Sequence, residues 1–338
     1  RWCSDEQQQR LIDMVQELAQ DPSSRKLAAA ITEGLIDYSA VHSLRGSRPT
    51  QVINQGLAAA YGMDFVALRP AWEDGHDPKK NPNYHRDNIE MILDLESRNP
   101  GISKALRDRF KISNFARCPV EIWEDMYANI DNKDMPYGAV MYAEADYNSA
   151  FVSVKDKIGD LYKQLKSMGC LLRVYECASV ADVEGAIMQA ENVYERQLEF
   201  GLMVAHGTPK GFRLANRTQG LSCEFLDAAD VFFHIASGRL QKLASQFVDD
   251  ALLALYSCST GDKLKKACLG QVLAEALGML VLAPNVDVAM TKIKASKDKQ
   301  TGRIRLALSF KQPDAVMNLF DGRPSDWLRD YLAGAWTS

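Results

Sequence analysis

The sequence predicts an α/β protein, a mostly parallel sheet with helices on both faces, preceded by an α-helical N-terminal domain. From Ala139 onward short apolar runs alternate with helix-period segments, as strands joined by helical crossovers do. Before Asp131 the only sustained period is the helical one. A third observation points to where chemistry would sit. The apolar runs Phe200–Val204 and Leu252–Tyr256 both stop abruptly in small residues, and ligands of open α/β sheets bind at such strand ends.

The elements follow in order. Ser4 and Gln7 form a capping box, and Leu11, Ile12, Met14, Val15 and Leu18 recur at helical spacing, predicting a helix from Ser4 to about Ala19 that Pro22 stops. Further helices are expected at Ser24–Tyr38, near Pro49–Tyr61, and at Arg86–Glu96, Ile102–Phe110 and Pro119–Ile130. Pro70–His85 is dense in Pro, Gly, Asn and Asp and reads as an exposed loop. Its His76 and His85, with Asp74 and Asp77, read as solvated groups rather than metal ligands. Asp131–Gly138 has linker chemistry and places a domain boundary, with residues 1–135 as a helical regulatory or substrate-presenting domain and 136–338 as the sheet domain. There, strands are expected at Ala139–Ala145, Leu171–Tyr175, Phe200–Val204, Leu252–Tyr256, Met279–Ala283 and Arg303–Ser309. The helices between them are Ser153–Met168, Val180–Leu198 and Lys263–Ala276. Pro209–Ser222 reads as irregular, the stretch on to Val248 as helical, and Thr291–Arg303 as a basic loop.

Composition narrows the function classes. With 338 residues and 46% hydrophobic content the chain can bury a sizeable core. Forty Lys and Arg against 44 Asp and Glu, mixed along the chain, give a net charge of −4 and no clustered basic face, which argues against nucleic acid and for a protein or peptide substrate. No apolar stretch approaches the ~20 residues of a membrane span. Seven cysteines (3, 118, 170, 177, 223, 258, 268), odd in number and without a CxxC pair, fit a reducing, cytoplasmic setting rather than a disulfide framework or zinc site. No cofactor is expected. Because Arg1-Trp2-Cys3-Ser4 lacks an initiator Met, the chain reads as a piece of a longer one.

Two strand ends carry the chemistry. Cys258 lies in Leu252–Gly261 (LLALYSCSTG), and His206 follows the Phe200–Val204 run. A thiol is mostly protonated at pH 7 unless a base or positive field lowers its pKa, and an imidazole does that work. Gly207 lacks a Cβ, so its N–H can approach a developing oxyanion, together with the N–H of Cys258.

VAHG (Val204–Gly207), followed about fifty residues later by LYSCSTG (Leu255–Gly261), resembles the caspase-like clan of cysteine peptidases, most closely its separase and CHAT branch. Asp146-Tyr147-Asn148-Ser149-Ala150-Phe151 is similar to the branch's Asp-x-Asn-Gly-Ala-Phe turn, with Ser149 in place of Gly. Gly278–Pro284 looks like the strand that follows the catalytic Cys. The resemblance spans about Ala139–Ser309. It implies a caspase-like sheet, His206 as general base and acid, Cys258 as nucleophile, and the N–H groups of Gly207 and Cys258 as oxyanion hole, with no third catalytic residue.

Other residues are weighed against these. Cys268, in KKACLG, is a rival nucleophile but falls on a predicted helix; His234 reads as a packed histidine and Cys223 as a bystander. Asp146 is a candidate substrate-binding carboxylate for a basic residue before the scissile bond, and equally a turn former. The lysines of Thr291–Arg303 mark a solvated connection, or a place for self-processing if basic residues are preferred. The expected activity is that of a cysteine endopeptidase, with a helical domain that engages a regulatory partner. A catalytically silent interaction module and another thiol acyl-transfer enzyme stay open as alternatives.

Overall fold

A computed structural model describes residues 5–32, 84–144, 146, 151, 154–215, 225–227, 239–262, 268–287, 290–310 and 317–320. The chain divides into two compact units, residues 1–130 with 146–156 and 217–219, and residues 131–145 with 157–216 and 220–338. His76, Asp74, Asp77, His234, Cys3 and Cys223 lie outside the described residues, as do the side chains of His85, Ser4 and Gln7.

The described elements of the first unit are helical. Helix α1 (Asp5–Gln20) buries Val15 and Ala19, and Glu6 and Arg10 pair across its exposed face at 2.7 Å. Asp21 ends the turn that follows by accepting the N–H of Ser23 and the hydroxyl of Ser24, and residues 25–32 resume as helix. Next come α2 (Tyr84–Arg98), α3 (Ile102–Phe110) and α4 (Val120–Ala128). Glu96, near the end of α2, accepts the N–H groups of Gly101 and Ser103 at 2.7 and 2.8 Å, satisfying donors that open α3. Trp123 is fully buried; its indole N–H donates to the Phe115 carbonyl at 2.9 Å.

The second unit is an α/β layer structure. In chain order its elements are β1 (Tyr137–Ala143), α5 (Lys155–Ser167), β2 (Leu171–Cys177), α6 (Val180–Asn192), β3 (Leu198–Val204), β4 (His206–Thr208), β5 (Gly211–Arg213), β6 (Phe225–Asp227), α7 (Arg239–Ala244) and β7 (Phe247–Tyr256). They continue with α8 (Leu269–Leu277), β8 (Leu280–Pro284), β9 (Met290–Lys297), β10 (Ile304–Phe310) and β11 (Met317–Phe320). Six strands form the central sheet in the order β2-β1-β3-β7-β8-β11, with the first five mutually parallel and β11 antiparallel to β8. Every residue of β1, β2 and β3 is buried, as expected of strands covered on both faces. The order reverses at β1, with β2 on one side and β3 on the other. The right-handed rule for parallel crossovers assigns α5 to one face and α6, α7 and α8 to the other. Consistent with this, α7 packs on both α6 and α8. No described helix is long and apolar enough to cross a membrane.

Buried charges interrupt the apolar strands at Arg173 and Glu176 on β2 and at Glu199 on β3. Arg173 on β2 is 1% exposed, lies 5.2 Å from the Tyr137 ring centroid and 3.7 Å from that of Tyr194, and donates to the Asn132 carbonyl at 3.0 Å. It sits near the start of β1 and β2, away from the strand ends that face the candidate site.

The structure departs from the sequence expectations in several places. Thr291–Arg303 is not a loop: most of it is β9, paired antiparallel with β10. Ile293 is 1% exposed while Lys292 and Lys294 face solvent, so the lysines occupy one face of an alternating strand. The stretch from Pro209, read as irregular, contains β5 within a small antiparallel sheet, β4-β5-β6. Helix α6 stops at Asn192 rather than running to Leu198, and Glu195 takes a left-handed backbone (φ 51°) in the turn to β3.

Candidate active site at the C-terminal edge of the sheet

Strands β3 and β7 are adjacent and parallel, and their last registered pair is Val204 with Tyr256. The Ala205 N–H extends that ladder by donating to the Tyr256 carbonyl at 3.1 Å. His206 and Cys258 therefore each follow the same registered pair by two residues, at the carboxyl edge of strands about 4.8 Å apart. This edge adjoins the β1/β3 reversal of strand order, where crevices of doubly wound sheets open.

Beyond Ala205 the chain turns into a hairpin. Thr208 pairs with Gly211, Gly207 with Phe212 and His206 with Arg213, around the two-residue turn Pro209-Lys210. Closure by Thr208 and Gly211 makes that pair hydrogen-bonded, so antiparallel alternation directs the N–H of Gly207 away from β5. Phe212 and Leu214 are buried and anchor the hairpin, and the Leu269 N–H at the start of α8 donates to the Pro209 carbonyl at 2.9 Å.

Close approach explains why position 207 is glycine. A Cβ there would lie 1.9 Å from Ser257 Oγ, 2.9 Å from Thr260 Cγ2 and 3.2 Å from the Cys258 carbonyl oxygen. The hairpin strand is thus in direct contact with the turn that carries the thiol. Ser257, 3% exposed, aims its hydroxyl at Gly207 and meets no hydrogen-bond partner among the described residues.

The turn after β7 is tied at almost every residue. Thr260 is fully buried; its hydroxyl donates to the Ser257 carbonyl at 3.0 Å, and its own carbonyl accepts the Gly270 N–H at 2.8 Å. The Gly261 N–H donates to the Pro284 carbonyl at 2.8 Å, and a Cβ on Gly261 would stand 2.4 Å from the Ala283 oxygen, so this contact too requires glycine. Ser259 adopts a left-handed backbone (φ 55°), an uncommon conformation for a residue with a side chain. The result is a sharp bend with Cys258 at its start.

The cysteines differ in access. Cys118, Cys170, Cys177 and Cys268 are buried thiols in no disulfide, while Cys258 is only partly covered. Burial, with a smaller contribution from the Glu199 carboxylate, pushes the Cys170 thiol up to about 12. Burial pushes Cys177 far above the ordinary thiol range, with Asp182 and Glu176 adding to it. The rival Cys268 is not within a helix but at the N-cap of α8, with no exposed surface.

Asp146 falls in the first unit and is 1% exposed; its Oδ1 accepts the Phe151 N–H at 3.3 Å. Phe151 is itself buried, with the Arg117 guanidinium 5.8 Å from its ring centroid. Among the described residues, no group of three or more His, Cys, Asp and Glu side chains could hold a metal ion.

Chemically, a partly exposed thiol and an imidazole at the ends of adjacent strands, beside a backbone N–H directed away from its hairpin partner, are the parts of a nucleophile, a base and an oxyanion donor. Sequence reasoning missed the β4–β5 hairpin, whose short strands lack any sustained alternation, and the tie between the Cys258 turn and the segment after β8. Neither a protein-family model nor a curated protein matches this chain.

Proposed function

We propose that the chain is a caspase-like cysteine endopeptidase that cleaves protein substrates through a thioester. One observation carries the reading: the close approach of Gly207, next to His206, to Ser257 and the Cys258 carbonyl at the carboxyl edge of two registered parallel strands. In this reading His206 takes the Cys258 proton, and the thiolate attacks the scissile carbonyl carbon. The resulting oxyanion is held by the N–H groups of Gly207 and Cys258. His206 then protonates the leaving amine, which departs as the thioester forms. A water molecule, deprotonated by His206, attacks the thioester, and collapse of the second tetrahedral intermediate releases the acid and restores the thiol.

The preference for a basic residue before the scissile bond rests on Asp146. Arg- and Asp-terminated fluorogenic peptides test it: Asp146→Asn reduces cleavage of the Arg reporter relative to the Asp reporter, and equal loss on both reduces Asp146 to a turn former. Reduced thiols at Cys118, Cys170, Cys177, Cys258 and Cys268 support a reducing, cytoplasmic setting. The N-terminal helices are assigned a regulatory or substrate-presenting role.

A peptide-library profile of wild type against Cys258→Ala tests the activity, alongside labelling by a thiol-reactive peptidyl probe. Cleavage and labelling that need both Cys258 and His206 support the peptidase. If no peptide is cleaved and labelling is indifferent to His206, the fold serves as an interaction module instead.

A further inference from the structure

The segment that leaves β8 also grips the Cys258 turn. Pro284 accepts the Gly261 N–H, Val286 accepts the Ser259 N–H at 3.0 Å, and Asp287 Oδ1 accepts the Ser259 hydroxyl at 2.8 Å. Ser259 directly follows the thiol residue and holds the left-handed backbone that makes the bend. A non-glycine residue stays in that conformation only when its surroundings fix it, and here its N–H and its hydroxyl are held by two consecutive residues, Val286 and Asp287. Asp287 is exposed and sits past the end of the strand, so its carboxylate is not part of the core.

We infer that Asp287 is a positioning residue: by holding Ser259 it fixes the bend that aims Cys258, and so sets how well the thiol meets its base. The inference rests on the reading of Cys258 as nucleophile. It also makes the β8–β9 connection the structural lever on the thiol, since a shift of Val286-Asp287 releases both bonds to Ser259 together.

The test uses the full chain and two readouts. One is the pH profile of Cys258 alkylation by iodoacetamide, followed by peptide mapping. The other is kcat and KM on a cleaved peptide. Asp287→Ala and Ser259→Ala are each expected to slow alkylation near neutral pH and lower kcat by about tenfold at little change in KM, since small misplacements of a reacting group are costly. The alkylation profile moves toward that of an ordinary thiol, near pH 8.5. The double variant falls no further than either single one, because both remove the same bond. Asp287→Asn, which keeps an acceptor, restores the wild-type profile, and Ser259→Gly, which accepts a positive φ, controls for folding. Thermal unfolding confirms that each variant is native. An Asp287→Ala protein that alkylates with the wild-type profile overturns the inference, as does a double variant whose loss is the product of the single ones. If the wild type cleaves no peptide yet Asp287→Ala still shifts the alkylation profile, the positioning role stands and the peptidase reading fails.

Discussion

His206 and Cys258 each stand two residues beyond Val204 and Tyr256, the last registered pair of two adjacent parallel strands. Register brings both residues to the same edge through the apolar pairing of β3 and β7, and the bend held at Ser259 then aims the thiol. Sites built on strand ends are held more precisely than sites on free loops. Replacing either residue should therefore leave the fold intact and remove chemistry alone. Cys258→Ala is expected to abolish peptide cleavage and probe labelling. His206→Gln should lower kcat/KM by about 10²–10⁴-fold, the usual contribution of a general base. Unfolding midpoints within a few degrees of wild type check that only the chemistry has changed.

The parallel sheet was legible because β1, β3 and β7 must be buried on both faces and so read as continuous apolar runs. The two strand ends were legible for a related reason: where the apolar run stops, the residues become small. Three things were not legible. Lys292 and Lys294 hid β9, because their charge outweighed the buried Ile293 between them in a short window. The start of β7 was read as helix because Asp249 and Asp250 break its apolar run at exposed positions, with Asp250 at φ 60°. The contact of Gly207 with Ser257 joins residues far apart in sequence, and nothing in either short motif encodes their distance.

That contact leaves no room for a side chain at position 207. Gly207→Ala places a methyl group 1.9 Å from Ser257 Oγ and close to the Cys258 carbonyl, so either the hairpin or the thiol turn must move. Overpacking of this kind typically costs about 1–3 kcal/mol. The expected result is a lower unfolding midpoint together with loss of cleavage. A companion change, Gly207→Ala with Ser257→Gly, removes the nearest clash and should recover part of the stability. Thermal melts of the single and double variants measure that recovery.

The thiols should separate by reactivity. At pH 7.5 iodoacetamide is expected to modify Cys258 in the folded protein while leaving Cys170 and Cys177 untouched, which peptide mapping by mass spectrometry reads directly. The raised thiols also link stability to pH. Unfolded thiols ionise near pH 8.5, whereas Cys170 holds its proton to about 12. Between those values the folded state binds more protons than the unfolded one, so stability is full below about pH 8.5 and declines as the pH rises toward 12. The unfolding midpoint should be flat from pH 7 to 8 and fall above pH 9, and Cys170→Ala should make that fall shallower.

The lysine-rich ribbon offers a last test, of self-processing. A peptidase needs its substrate extended in the active site, yet the segment between β9 and β10 is locked in a tight turn. The Asp298 N–H donates to the Arg303 carbonyl at 2.8 Å, the Gly302 N–H donates back to the Asp298 carbonyl at 2.9 Å, and the Asp298 side chain accepts the N–H groups of Gln300 and Thr301. The latter bonds hold its carboxyl below the usual range. On the outer edge of β9, Gln164 from α5 accepts the Ala295 N–H and donates to the Ile293 carbonyl, occupying backbone groups that a cleaving enzyme would need. Wild type and Cys258→Ala incubated at neutral pH should therefore each keep its own full-length mass. Asp298→Ala, which removes the turn's side-chain acceptor, should make Lys297–Arg303 the first site nicked by added trypsin. Cleavage there in untreated wild type but not in Cys258→Ala would show that the ribbon opens readily and that its lysines are substrates of the Cys258 site.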